Sequence, residues 1–234
     1  MNRFWPGGLT WTHYLVGVCP SEPGQPVAVA VVAQSIGTTT KGQHATLELQ
    51  LRHLEEVPGG ASLPDAAARV AELCAALDAL EESSRGVALV LDIGVLGTIL
   101  VDLLDRRMPV VVAVTGGAAE GVTGRGVATV PRREVAAGLL LEAQRGTFRT
   151  ASSLPLAPRF TTALQGFRFR APAAGGGDAL EEARREADDA LVLAAGLCVW
   201  QSTREVPGWK HAAVVDPDRA MVGDYNPHAA WNDR

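Results

Sequence analysis

ALVLDIGVLGTILVDLLDRRMPVVVAVTGG, residues 88–117, is the stretch on which the reading of the fold turns. It opens inside a continuous apolar run, 86–91, too short for an ordinary helix and suited to a strand covered on both faces. Asp92 follows the run, and a turn of small residues follows Asp92. A helix is expected from about 97 to 107, and residues 109–114 form a second buried strand. Strand, helix and strand with no hairpin between them make a βαβ unit, which needs a parallel strand pair with the helix on one face.

Upstream the pattern is different. Residues 13–18 and 27–34 are short Val-rich runs separated by Pro20, Pro23, Gly24 and Pro26, two strands joined by a proline-stiffened connection. Residues 46–55 alternate Leu47, Leu49, Leu51 and His53 with Glu48, Gln50 and Arg52, the period of a half-buried strand. Ser62 is placed to cap a helix over 63–80, with Pro64 in its first turn and Val70, Leu73, Leu77 and Leu80 on one face. Downstream, Pro131 opens a helix that Gly146 closes, and 156–167 reads as another. The Ala/Gly-rich segment 171–177 reads as a loop, and the last strong element is a helix over 178–200. The expected architecture is α/β: a mixed sheet, with an antiparallel three-strand meander followed by βαβ units, and helices on both faces. Residues 1–12 are an extension, 13–200 the domain, and 201–234 a tail without periodicity.

Composition narrows the function classes. Hydrophobic residues make up 47% and charged residues 20% of the 234, the balance of a globular chain able to bury a core. The longest apolar stretches, 108–114 and 190–200, fall well short of the roughly 18 residues of a membrane span, and the first residues lack a secretory apolar segment. Cys19, Cys74 and Cys198 have neither disulfide-framework nor zinc spacing, which points to a reducing, cytoplasmic setting. The five histidines show no metal spacing. Net charge is −5, yet residues 125–170 hold eight arginines against Glu134 and Glu142, 8 − 2 = +6. Such a stretch is either an ordinary solvated surface or one basic face suited to a polyanion.

Several local stretches carry a resemblance. Residues 16–32, VGVCPSEPGQPVAVAVV, are similar to the first hairpin of the nuclease domain of phage terminase large subunits, a ribonuclease H-like family. In that family an Asp ends strand one and a second precedes the proline of strand two; here these positions are Cys19 and Gln25. Residues 88–117 resemble the family's second block, with its Asp present as Asp92. Residues 130–146 resemble its basic helix start, with Arg132 where a lysine is usual. LQGFRFR (164–170) and EADDALVLAAGLCVW (186–200) resemble its closing strand and acidic final helix, the family's His-Asp-Asp becoming Asp188, Asp189 and Ala190. The resemblance covers about residues 13–200 and implies a Mg- or Mn-dependent DNA endonuclease site, with DNA and phage packaging proteins as partners. No G-x-x-x-x-G-K-[ST] loop occurs in the chain, so the ATPase half of a packaging motor is not here.

Two-metal phosphodiester cleavage needs three or four carboxylates around cations about 3.5–4 Å apart. Mg²⁺ prefers hard oxygen ligands, and Cys19 offers a soft sulfur. On its own, Cys19 reads as a small buried residue at a strand end, and Gln25 supplies no charge. Asp92 stands where α/β sites gather, at a strand's carboxyl end, although an Asp there also caps a turn through Gly94. Asp189 shares a helix face with Leu193, Gly196 and Trp200, while Asp188 lies about 100° round the helix. Glu22, in the first hairpin, is the one acid able to stand in for a lost Asp. The implied metal ligands are therefore Asp92 and Asp189, expected to face each other across a small cleft with Cys19 near both. Arg132, Arg133, Arg168 and Arg170 are the implied nucleic-acid contacts. Three readings follow: a degenerate terminase-type fold kept for DNA binding or assembly, an active metal-dependent endonuclease, and a small-molecule α/β enzyme. The third lacks any nucleotide loop or nucleophile elbow.

Overall fold

The computed structural model describes residues 9–20, 25–38, 45–58, 61–81, 83, 85–94, 99–105, 111–116, 119–122, 127–167 and 187–205. Strands β1 (Leu9–Pro20), β2 (Val27–Thr38) and β3 (Ala45–Val57) pair antiparallel in succession, as the alternation and the proline-rich connection predict. Helix α1 (Leu63–Asp78) follows; Ser62 and Asp65 cap it reciprocally, each binding the other's backbone amide, and Pro64 sits in its first turn. Leu80, expected on its buried face, lies past the helix end and is exposed. Then come β4 (Val87–Asp92), α2 (Ile99–Asp105) and β5 (Val111–Gly116), with β4 parallel to both β1 and β5.

The central order is therefore β5-β4-β1-β2-β3, with β2 antiparallel to the rest. Three short strands that sequence reasoning missed extend it. β6 (Gly121–Val122) and β7 (Ala128–Val130) lie beyond β5, and β8 (Phe148–Thr150) pairs parallel with β3 at the other edge. Two- and three-residue strands are too short to show a period of two. Residues 164–166 form the end of α4 (Ala157–Gly166), within the helix expected over 156–167, and 168–170, the rest of the resembled closing strand, lie outside the described residues.

Each strand sends alternate residues to opposite faces. In β4, Val87, Leu89 and Leu91 meet α1 and α2, whereas Ala88 and Val90 face the other way. That second face is covered by α5 (Ala187–Glu205), on which α3 (Arg132–Gln144) and α4 also pack. Every residue from 190 to 202 of α5 is buried, the signature of a helix enclosed on all sides. α5 runs five residues past the expected boundary at 200. Its polar end is accommodated by Ser202 Oγ donating to the Val199 carbonyl (2.7 Å) and by Arg204 stacking over Trp200 (4.7 Å) while pairing with Glu120. The expected helical segment 178–186, the loop 171–177 and the tail from 206 lie outside the described residues. Among the described residues no helix is long and apolar enough to cross a membrane.

Two glycines set how closely α5 lies. A Cβ on Gly17 of β1 would stand 2.0 Å from the Ala194 carbonyl oxygen, and one on Gly196 would stand 2.7 Å from Val135 Cγ1 of α3. The helix is thus seated directly on β1, where Cys198 donates its thiol proton to the Leu15 carbonyl (3.3 Å).

Candidate functional site

Period-two geometry decides where the strand-end residues point. Leu15 and Cys19 of β1 face α5, and by the same alternation Asp92 follows Ala88 and Val90 of β4 to that face. β1 and β4 are parallel with Val18 opposite Leu91, so Cys19 and Asp92 come side by side at the carboxyl ends of adjacent strands. The Cys19 thiol is directed at Asp92 Oδ2 across 3.7 Å. Asp92 is 6% exposed, and its Oδ1 accepts the Gly94 amide at 2.8 Å. The turn-capping role and the site position therefore coexist in one residue.

Arg132 completes the group. The first residue of α3 after Pro131, it brings Nη2 to 3.8 Å from Asp92 Oδ2. Asp92 and Arg132 are the charged lining of a small cleft otherwise walled by Val114, Gly116, Val130, Val135, Leu193 and Leu197. Asp189, in the first turns of α5 and partly exposed, lies on the same side of the sheet, and its charge acts on Cys19. Burial raises the Asp92 pKa above the usual carboxylate value, against the Gly94 amide, Arg132 and the Cys19 thiol, which lower it in that order. Burial first, and then the Asp92 charge, push the Cys19 thiol well above its ordinary range, so sulfur here is a protonated donor and not a thiolate.

The topology is meander, helix, strand, helix, strand, with β3-β2-β1-β4-β5 at its centre and an acidic residue ending β4. The fold is ribonuclease H-like. Solved structures with a similar course include the human cytomegalovirus terminase nuclease domain, at 10% identity over 81% of this chain and 81% of that one, TM-score 0.47. Another is the large-terminase nuclease domain of bacteriophage SPP1 with bound Mn, at 10% identity over 81% and 86%, TM-score 0.44. No family model and no curated protein sequence matches the chain.

Set in this ribonuclease H-like frame, the other expected site residues separate. Gln25 is exposed, two residues before β2, and Glu22 lies outside the described residues. Asp188 belongs to α5 by its backbone, but its side chain, like all of Arg168 and Arg170, lies outside the described residues. Among the described residues no three His, Cys, Asp or Glu side chains converge as a metal site would require. Around Asp92 the donors suit a divalent ion poorly: a protonated sulfur and a guanidinium face the same carboxylate oxygen.

Four of the eight arginines in the stretch face acids. Arg145 pairs with Glu142 (2.8 Å), Arg149 with Glu48 (3.3 Å), Arg159 with Glu56 (2.7 Å) and Arg132 with Asp92, while Arg133 is exposed. Of the partners, Glu48 and Glu56 lie on β3, far away in sequence, so a local charge sum missed them. Sequence reasoning assigned Arg132 to a polyanion and missed its pairing with Asp92. The one available signal was Pro131, which fixes a helix start immediately after a strand too short to recognise.

Proposed function

We propose that the protein is a terminase-nuclease-like phage or prophage protein whose metal site is degenerate and which is kept for DNA binding or assembly. The observation that carries this reading is Cys19 beside Asp92. At the carboxyl end of β1, where the resembled family places an Asp, stands a buried thiol, and the neighbouring carboxylate faces an arginine. Asp92 and Asp189 remain on one side of the sheet. Two carboxylates provide neither a bridging ligand nor enough negative charge to gather a pair of cations. Binding of DNA would fall to Arg132 and Arg133 at the start of α3, where the helix dipole adds to their charge, with Arg168 and Arg170.

The reading is tested by incubating the purified protein with supercoiled plasmid in Mg²⁺ and then Mn²⁺. No Mg²⁺-dependent cleavage is expected, and at most a trace with Mn²⁺. Robust cleavage that disappears in Asp92→Ala would overturn the reading in favour of an active metal-dependent endonuclease, with Mg or Mn as its cofactor.

A further inference from the structure

We propose that the Arg132 guanidinium is the resident cation of the cleft, holding Asp92 against divalent ions, so that removing this one positive charge by itself strengthens Mn²⁺ uptake. The inference rests on the degenerate reading of the site: with Cys19 in place of an acid beside Asp92, the cation at position 132 is no longer outweighed by carboxylates. Asp92 Oδ1 is occupied by the Gly94 amide, and Oδ2 is faced by Cys19 at 3.7 Å and by Arg132 Nη2 at 3.8 Å. A divalent ion on Oδ2 would stand within a few ångströms of the guanidinium and meet twice the repulsion a monovalent one would. Arg132 and Asp92 carry opposite unit charges, and a neutral side chain at 132 removes the cation that faces Oδ2.

The placement of Arg132 supports a role toward Asp92 beyond surface packing. Its side chain is 26% exposed, far less than Arg145 at 59% or Arg149 at 62%, which pair with acids at the periphery. Its buried Nε has no hydrogen-bond partner among the described residues. The Asp92 carboxylate is the charge that compensates it. Gly116 leaves room for the guanidinium, since an added Cβ there would lie 3.8 Å from Nε.

The experiment is a Mn²⁺ titration of the full chain, read as loss of the free-ion paramagnetic resonance signal. It compares the natural protein with Arg132→Met, Arg132→Lys and the double change Arg132→Met/Asp92→Asn, each checked for folding by circular dichroism. Arg132→Met should bind Mn²⁺ at least tenfold more tightly than the natural protein. Arg132→Lys, which keeps the charge, should stay within about threefold of it, and the double variant should lose the gain. If Arg132→Met does not fold, Arg132→Gln carries the same expectation and keeps a polar group against Asp92. Equal binding by the natural protein and the neutral variants, or a gain that survives Asp92→Asn, would overturn the inference. Plasmid cleavage separates the two proposals: cleavage by the natural protein defeats the degenerate reading, whereas equal Mn²⁺ binding with no cleavage defeats only the role of Arg132.

Discussion

Restoring an acid at position 19 tests the geometry of the cleft most directly. In Cys19→Asp a carboxylate stands about where the sulfur lies, 3.7 Å from Asp92 Oδ2 and wholly buried. Two unit charges at that distance repel by roughly 4 kcal/mol at an effective dielectric of about 20. Protonating one of them is the alternative, and its cost depends on pH. From the ordinary Asp value of 3.8 it is about 6 kcal/mol at pH 8 but about 1.6 kcal/mol at pH 5. At pH 8 repulsion is the cheaper outcome and both stay ionised; at pH 5 one carboxyl takes a proton. Burial, which already raises the Asp92 pKa, favours that proton further. Cys19→Asp should therefore lose about 4 kcal/mol of stability at pH 8 and at least 2 kcal/mol less at pH 5. Urea unfolding followed by circular dichroism measures both. Added Mn²⁺ should return part of the loss at pH 8, about 2.7 kcal/mol if the free ion is a hundredfold above its dissociation constant. The natural protein should gain little. A variant as stable as the natural chain at pH 8 would show that Cys19 and Asp92 are not neighbours, and an equal Mn²⁺ gain in both proteins would show that the thiol does not limit metal uptake.

Other expectations follow from the same contacts. Asp92 has a raised folded-state pKa, so its ionisation costs stability as pH rises from the unfolded value through the folded one. Asp92→Asn, which keeps an acceptor for Gly94, should melt above the natural protein at pH 7.5, the difference shrinking toward pH 4.5; a lower melting point at pH 7.5 would mean that the Arg132 pairing outweighs burial. Gly17→Ala must move β1 and α5 apart, because its Cβ would lie 2.0 Å from a backbone oxygen, and should cost about 3 kcal/mol or more. Gly138→Ala, in α3 with nothing within 4 Å, should instead stabilise by about 0.5–1 kcal/mol, and similar unfolding midpoints for the two would refute the close seating of α5. If the start of α3 binds duplex DNA, replacing Arg132 and Arg133 by Ala should flatten the salt dependence of affinity by about one counterion, chiefly that of exposed Arg133 because Arg132 already faces Asp92, and an unchanged slope would place the contacts elsewhere.

Much of the site was legible because strands impose a period of two. Once 86–91 and 13–18 are read as strands, Asp92 and Cys19 are strand-end residues. Once those strands are parallel neighbours, the two side chains must meet. The same reasoning failed for Arg132. Its partner is 40 positions away, and β7, the strand that delivers it, has only three residues. The +6 count was incomplete for a related reason: charge adds along the sequence, whereas pairing happens across space, and β3 supplies Glu48 and Glu56 to Arg149 and Arg159.

By itself, then, the sequence determined the order of the longer elements, the α/β class, the cap of α1 at Ser62 and the identity of the residues at the carboxyl ends of β1 and β4. Each of these is dictated by local periodicity and by groups within one helical turn or one strand of each other. Only the tertiary structure decided which face α5 covers, that β8 lies beside β3, and that Arg132 stands against Asp92. Those are consequences of packing. The sheet buries both faces, the side-chain period fixes only that two faces exist, and close seating at Gly17 and Gly196 is what brings α5 and α3 onto the face that carries Cys19 and Asp92.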